Sequence, residues 1–125
     1  MSAVTDEVRA FIHAHISSIE QLEVLLLLHR QGERSWTAAT VARELRLHAD
    51  SVATRLADLT SRGLLDTDAD GYRFSRDASI GGVVSQLARA YSEARVSVIN
   101  LVFSKPVDTL RSFADAFKFR GGGKS

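Results

Sequence analysis

The segment TAATVARELRLHADSVATRLADLTSRGLLDTDADGYRFS, residues Thr37 to Ser75, decides the fold. Its first part predicts a short helix, because Thr37 is a typical N-cap residue and apolar side chains recur behind it at helical spacing. Those apolar residues are Val41, Ala42 and Leu45. The segment therefore opens with an amphipathic helix that buries one side.

A second helix follows after about four residues. It is predicted to begin at Asp50 or its neighbour His48 and to end at Gly63. Its apolar residues recur at intervals of four and three positions: Val52, Leu56 and Leu59. Two helices of this length, joined by so short a connection, are the helix-turn-helix pattern.

The end of the segment allows two interpretations. Leu64-Leu65, an Asp70-Gly71 turn and the alternating residues 72–74 predict a β-hairpin. Residues 66–71, DTDADG, also have the Asp-x-Asp-x-Asp-Gly spacing of a calcium loop, whose last ligand would be Asp77. Arg73 would place positive charge beside the ion, and aspartate is shorter than the glutamate usual at the last position. We predict an acidic hairpin, with calcium binding as the alternative.

Apolar periodicity predicts four more helices around this segment, over residues 5–16, 19–31, 83–103 and 107–119. Ser18 and Gln21 fit a capping box for the second of them, and Gly81-Gly82 is predicted to break the chain before the third. We expect one mainly α-helical domain over residues 1–120, with its core at 19–77 and a disordered tail at 121–125.

Composition narrows the functional class. The 125 residues are 45% hydrophobic and 25% charged, with a net charge of +1 and no cysteine. Disulfides, zinc-thiolate sites and thiol catalysis are therefore excluded. The start of the chain lacks a basic region followed by an apolar one, and the longest apolar run is Val24 to Leu28. We expect a cytoplasmic protein that is not an enzyme, needs no cofactor or metal and does not bind a membrane.

Three motifs carry a resemblance to a known family. These are A-x-x-L in the first helix, S-V-x-T-R-L-x-x-L in the second, and R-G-L-L before the hairpin. Over about 40 residues the chain resembles the winged helix-turn-helix domain of MarR-like bacterial transcriptional regulators. The resemblance implies a winged helix-turn-helix fold with N- and C-terminal dimerisation helices, which binds double-stranded DNA as a homodimer. The chain departs from the pattern at Arg46-Leu47, where glycine is common, and in the acidic hairpin, or wing.

In a helix-turn-helix the second helix lies in the major groove, here over residues 50–62. Seven side chains are predicted to contact DNA: Arg43, Arg46, His48, Ser51, Thr54, Arg55 and Arg73. An ion pair with Asp58 is the alternative role of Arg55. Asp50 and the hairpin carboxylates would repel phosphates, so an adaptor that binds a protein through the acidic wing is the alternative function.

The helix predicted over residues 83–103 has an apolar stripe too wide for one face of a small monomer. We therefore predict a homodimer, with burial against residues 107–119 of the same chain as the alternative. The interface residues are predicted to be Phe11, Tyr91, Val98, Val102, Phe113 and Phe117.

Overall fold

A computed structural model describes residues 3–104 of the chain. Within that range six helices and two strands follow in the order α1 (Asp6–His15), α2 (Ile19–Arg30), α3 (Ala38–Leu45), α4 (Ala49–Ser61), β1 (Leu65–Asp68), β2 (Gly71–Phe74), α5 (Ala78–Glu93) and α6 (Arg95–Phe103). The predicted mainly helical fold with a small hairpin is confirmed. The helix predicted at 107–119 and the tail lie outside the described residues.

Side-chain caps fix where the helices begin. Thr37 and Thr40 form a capping box at the start of α3, because each side chain binds the backbone N–H of the other residue. The box predicted at α2 is only half formed. The Ser18 hydroxyl accepts the N–H of Gln21, but the Gln21 amide oxygen accepts the N–H of Ser17 instead of that of Ser18.

Helix α2 is the centre of the core. Its sequence is apolar on nearly all sides, and α3, α4, α5 and β2 all contact it. Helix α4 presents its predicted stripe to α2, and these three residues are completely buried: Val52, Leu56 and Leu59. Helices α3 and α4 therefore take their positions from a shared hydrophobic support.

The hairpin is tied back to the segment that precedes α3. Strands β1 and β2 pair antiparallel from Leu65 opposite Phe74 to Asp68 opposite Gly71. Trp36 and Tyr72 then exchange two backbone hydrogen bonds, of 2.7 and 2.8 Å. Gly71 has a φ of 133°, and a side chain there would overlap the Trp36 carbonyl. The hairpin is thus fixed to the segment that leads into α3.

The prediction of one helix from 83 to 103 was wrong at two points. Helix α5 begins at Ala78, capped by the Asp77 carboxylate, and runs through Gly81-Gly82. Glycine allows a helix to end but does not require it to end. Relative to alanine, a glycine inside a helix costs about 0.5–1 kcal/mol, and the packing of the apolar residues that follow offsets this cost. The real break is at Ala94, where φ is −140° and ψ is 55°. The break lets α5 and α6 both contact α1.

Between residues 3 and 104 no single helix is long and apolar enough to span a membrane. Helices α1 and α2 together reach the length and apolar content of a membrane span, but they are bent by 115° relative to each other.

Candidate nucleic-acid interface

The outward face of α4 is lined by small side chains. Opposite the buried stripe, the exposed residues are Asp50, Ala53, Thr54, Ala57 and Ser61. Thr54, a predicted contact residue, is exposed on this face, and its hydroxyl donates to the carbonyl of Asp50 at 3.2 Å. Small side chains let a ligand approach the helix backbone closely.

Three predicted contact residues are exposed between the last turn of α3 and the N-cap of α4: Arg43, Arg46 and His48. Within residues 3–104 none of these side chains has a hydrogen bond or an ion-pair partner. Arg46 ends α3 in the left-handed conformation, with φ 59° and ψ 49°. It is the single non-glycine residue with positive φ in the described range. The conformation that glycine commonly supplies in such a turn is here imposed on arginine.

One side of α4, between its buried stripe and its outward face, is bonded to α2. The Ser51 hydroxyl and the Arg55 Nε donate to the same oxygen, Oε1 of Glu20, at 2.8 and 3.1 Å. Both predicted contact residues are half-buried. The ion pair of Arg55 is therefore with Glu20 and not with Asp58, the partner that was the alternative in the sequence.

Asp58 belongs to a second connection between the same helices. It accepts from the buried Gln21 Nε2 at 2.6 Å and from the Arg62 Nε at 3.0 Å. Arg62 also donates to the Ala14 carbonyl at 3.0 Å. This side of α4 is thus held at both ends, by Glu20 near its start and by Gln21 near its end.

Asp68 organises the hairpin. Its carboxylate accepts the N–H of Asp70 at 2.8 Å and the hydroxyl of Ser35 at 3.3 Å, and it pairs with Arg73 at 3.4 Å. These interactions, led by the Asp70 N–H, lower the pKa of Asp68. Arg73, a predicted DNA contact, is therefore turned toward a carboxylate of its own hairpin.

The hairpin charge is predominantly negative. Asp66 and Asp70 are exposed, and neither side chain has a hydrogen bond or ion pair among residues 3–104. Over the same range no three His, Asp or Glu side chains are placed to hold a metal ion together. The Asp-x-Asp-x-Asp-Gly residues instead form the tip of the predicted hairpin.

The predicted dimer residues lie inside the monomer. Phe11, Tyr91, Val98 and Val102 are all buried in the core formed by residues 3–104, so in this structure they offer little surface to a second subunit. Phe113 and Phe117 lie outside the described residues. The large apolar side chains that α6 exposes are Val96 and Phe103, at 71% and 74%. Because apolar residues cover most of the circumference of α6, sequence periodicity did not separate its buried face from its exposed one.

A cavity of about 600 Å³ lies between α2 and α5. Its polar wall residues bind one another: the Tyr91 hydroxyl donates to Glu23 at 3.2 Å, and Arg95 pairs with the same carboxylate oxygen at 3.6 Å. Burial, together with the Glu23 charge, raises the pKa of Tyr91. These groups hold the start of α6 against α2.

Sequence reasoning missed the contacts that Glu20 and Gln21 make with α4. Their partners on α4 are 31 to 37 positions away, and no local pattern reports a contact of that range. A scan against protein-family models, a search of curated proteins and a search of solved structures each gave no match.

Proposed function

We propose that the protein is a dimeric winged-helix regulator of transcription that places α4 in the major groove of double-stranded DNA. One observation carries the proposal: α3 and α4 pack on α2 and the hairpin bonds to Trp36, while the outward face of α4 is left exposed. An α-helix fits the width of the major groove, and the small side chains on this face permit close approach to the bases.

The backbone of Arg46 supports a functional role for its side chain. A non-glycine residue in the left-handed region costs about 1–2 kcal/mol. Strain of this kind is concentrated at functional sites, where the side chain has a use that offsets its cost. Arg46 is exposed beside the first turn of α4, where its guanidinium can contact a phosphate next to the groove.

The charge distribution favours phosphate contact by the turn over contact by the hairpin. Arg43, Arg46 and His48 have no ion-pair partner within residues 3–104, whereas Arg73 is paired with Asp68. A protein cation neutralises a phosphate, and so displaces counterions from the DNA, most readily when it has no ion-pair partner of its own. In this proposal Arg43 and Arg46 therefore contact the DNA backbone, and the acidic hairpin tip stays away from it.

The proposed dimer uses the exposed side of α6. Val96, Ile99 and Phe103 follow one another at helical spacing, and two of the three are largely exposed. Two copies related by a two-fold axis would bury this stripe and present two α4 helices to successive major-groove segments. In sedimentation the wild-type protein should be a dimer, and the Val96→Ser/Phe103→Ser variant should be a monomer. A monomeric wild-type protein would contradict the proposed dimer.

The substitution Arg46→Gly separates function from stability. Glycine relieves the left-handed strain, so we expect the free energy of unfolding to stay level or rise by up to about 1 kcal/mol. DNA affinity should fall several-fold at low salt because one phosphate contact per subunit is lost. Arg46→Asn is a second test variant, because asparagine tolerates the same backbone conformation but lacks the guanidinium, and it should lose affinity to the same extent. Unchanged affinity in both variants would refute the role of Arg46.

The uncompensated hairpin carboxylates favour a second candidate, an adaptor that binds a basic protein surface. Asp66→Asn/Asp70→Asn distinguishes the two functions. For a DNA-binding protein, removal of two negative charges near the duplex should strengthen binding. For an adaptor, the same change should weaken binding to a basic peptide such as polylysine in calorimetry, and no DNA fragment should bind to the wild-type protein.

A further inference from the structure

Glu20 occupies an unusual position for a residue outside the helix-turn-helix. Its Oε1 accepts hydrogen bonds from both Ser51 and Arg55, two predicted DNA-contact residues one turn apart on α4. The carboxylate is about four-fifths buried, and the Arg55 side chain is 32% exposed. A single side chain of α2 therefore fixes two side chains of the helix that is proposed to enter the groove.

The geometry leaves part of the Arg55 guanidinium free. The group has five N–H donors in one plane, and Glu20 takes the one on Nε. Within residues 3–104, Nη1 and Nη2 have no hydrogen-bond partner. Because the guanidinium is planar, a bond at Nε also sets the direction in which the Nη edge points.

We propose that Glu20 is a positioning residue that holds Arg55 so that its two Nη groups address the O6 and N7 acceptors of a guanine. This inference rests on the proposed DNA-binding function. Arginine bidentate to guanine is the commonest specific contact in the major groove, and its strength depends on orientation. A guanidinium that is already fixed loses less side-chain entropy when it binds.

Charge favours a base over a phosphate as the target of Arg55. Glu20 and Arg55 together carry no net charge, so the pair contributes little to the sequence-independent attraction that comes from phosphate neutralisation. A carboxylate this close to the DNA backbone also repels phosphates. Directional hydrogen bonds are what the pair can still supply, and on DNA these go to base edges.

The experiment uses the full-length protein and a preferred duplex selected from a random double-stranded DNA library. Affinity is measured for this duplex, for versions with each guanine replaced, and for a scrambled duplex. For Glu20→Gln we expect the preference for one guanine to fall about tenfold, while affinity for the scrambled duplex stays equal or rises. Glu44→Gln, which removes an exposed carboxylate from α3, is the matched control and should leave the preference unchanged.

Arg55→Lys provides a second variant that keeps the charge but cannot donate in a fork. It should lose the same guanine preference and retain scrambled-duplex affinity. Equal loss on every duplex in both variants would mean that Glu20 has only a structural role, and an unchanged preference would also overturn the inference. If the wild-type protein binds no duplex, the proposed function itself fails together with it.

Discussion

Gln21 provides the most direct test of how α4 is held in place. It is completely buried, and its amide oxygen accepts from the N–H and the hydroxyl of Ser17 at 2.6 and 3.0 Å. Its amide nitrogen donates to the Asp58 carboxylate at 2.6 Å. The substitution Gln21→Leu keeps the approximate volume of the side chain and removes all three hydrogen bonds.

The expected loss in the free energy of unfolding follows from the groups that lose a hydrogen-bond partner. A hydrogen bond to a charged group contributes about 1.5–3 kcal/mol, and Asp58 keeps only Arg62 as a partner. Ser17 is exposed, so water can replace its lost acceptor, and this part costs about 0.5–1 kcal/mol. The free energy of unfolding should therefore fall by about 2–4 kcal/mol. For a chain of this size that is a decrease in Tm of roughly 8–16 °C.

Urea unfolding followed by circular dichroism measures the change, and Gln86→Leu is the matched control. Gln86 on α5 also makes two side-chain hydrogen bonds, with Thr5 and Glu7, but these lie at the surface. The control should lose less than about 1 kcal/mol. If Gln21→Leu is no less stable than Gln86→Leu, the buried amide does not anchor α4.

Three further predictions concern stability and are measured by the same unfolding assay. Gly71→Ala should cost about 3–5 kcal/mol, because backbone strain adds to the loss of the two hydrogen bonds between Trp36 and Tyr72, which the added methyl group would push apart. Gly63→Ala also has positive φ but open space around it, so it should cost about 1 kcal/mol. Equal costs would contradict this. Gly82→Ala should raise the free energy of unfolding by about 0.5–1 kcal/mol, since this helical position has no atom within 4 Å of an added methyl group. Burial lowers the pKa of His29, so the unfolded chain binds the proton more readily and stability should decline as the pH falls below about 6.5. A His29→Asn variant should show a smaller decline, and identical pH profiles would exclude the effect.

The sequence was most informative where the physical signal is local. Thr37 as a cap, the stripe of Val52, Leu56 and Leu59, and the Asp70-Gly71 turn all depend on neighbours within a few residues, and each lies where it was predicted. The spacing of apolar side chains reports which face of α4 is buried because only one face of that helix is apolar.

Two kinds of feature were beyond reach of the sequence. On α6 the apolar residues surround the helix, so periodicity could not show that Val98 is buried while Val96 is exposed. The partners of Arg55 and Asp58 come from α2, and a polar contact across more than 30 positions leaves no local signature. The break at Ala94 likewise follows from how two helices reach α1, which is a property of the packed structure.

The salt dependence of binding measures whether the exposed cations Arg43 and Arg46, at the end of α3, bind duplex DNA. With Arg43 and Arg46 of two subunits each neutralising a phosphate, the logarithm of the association constant for a labelled duplex should fall against log salt with a slope of about −3.6. An increase from about 50 to 200 mM salt would then weaken binding roughly a hundredfold. Absence of any complex at the lower salt concentration, or an affinity that does not change between the two, would contradict the account.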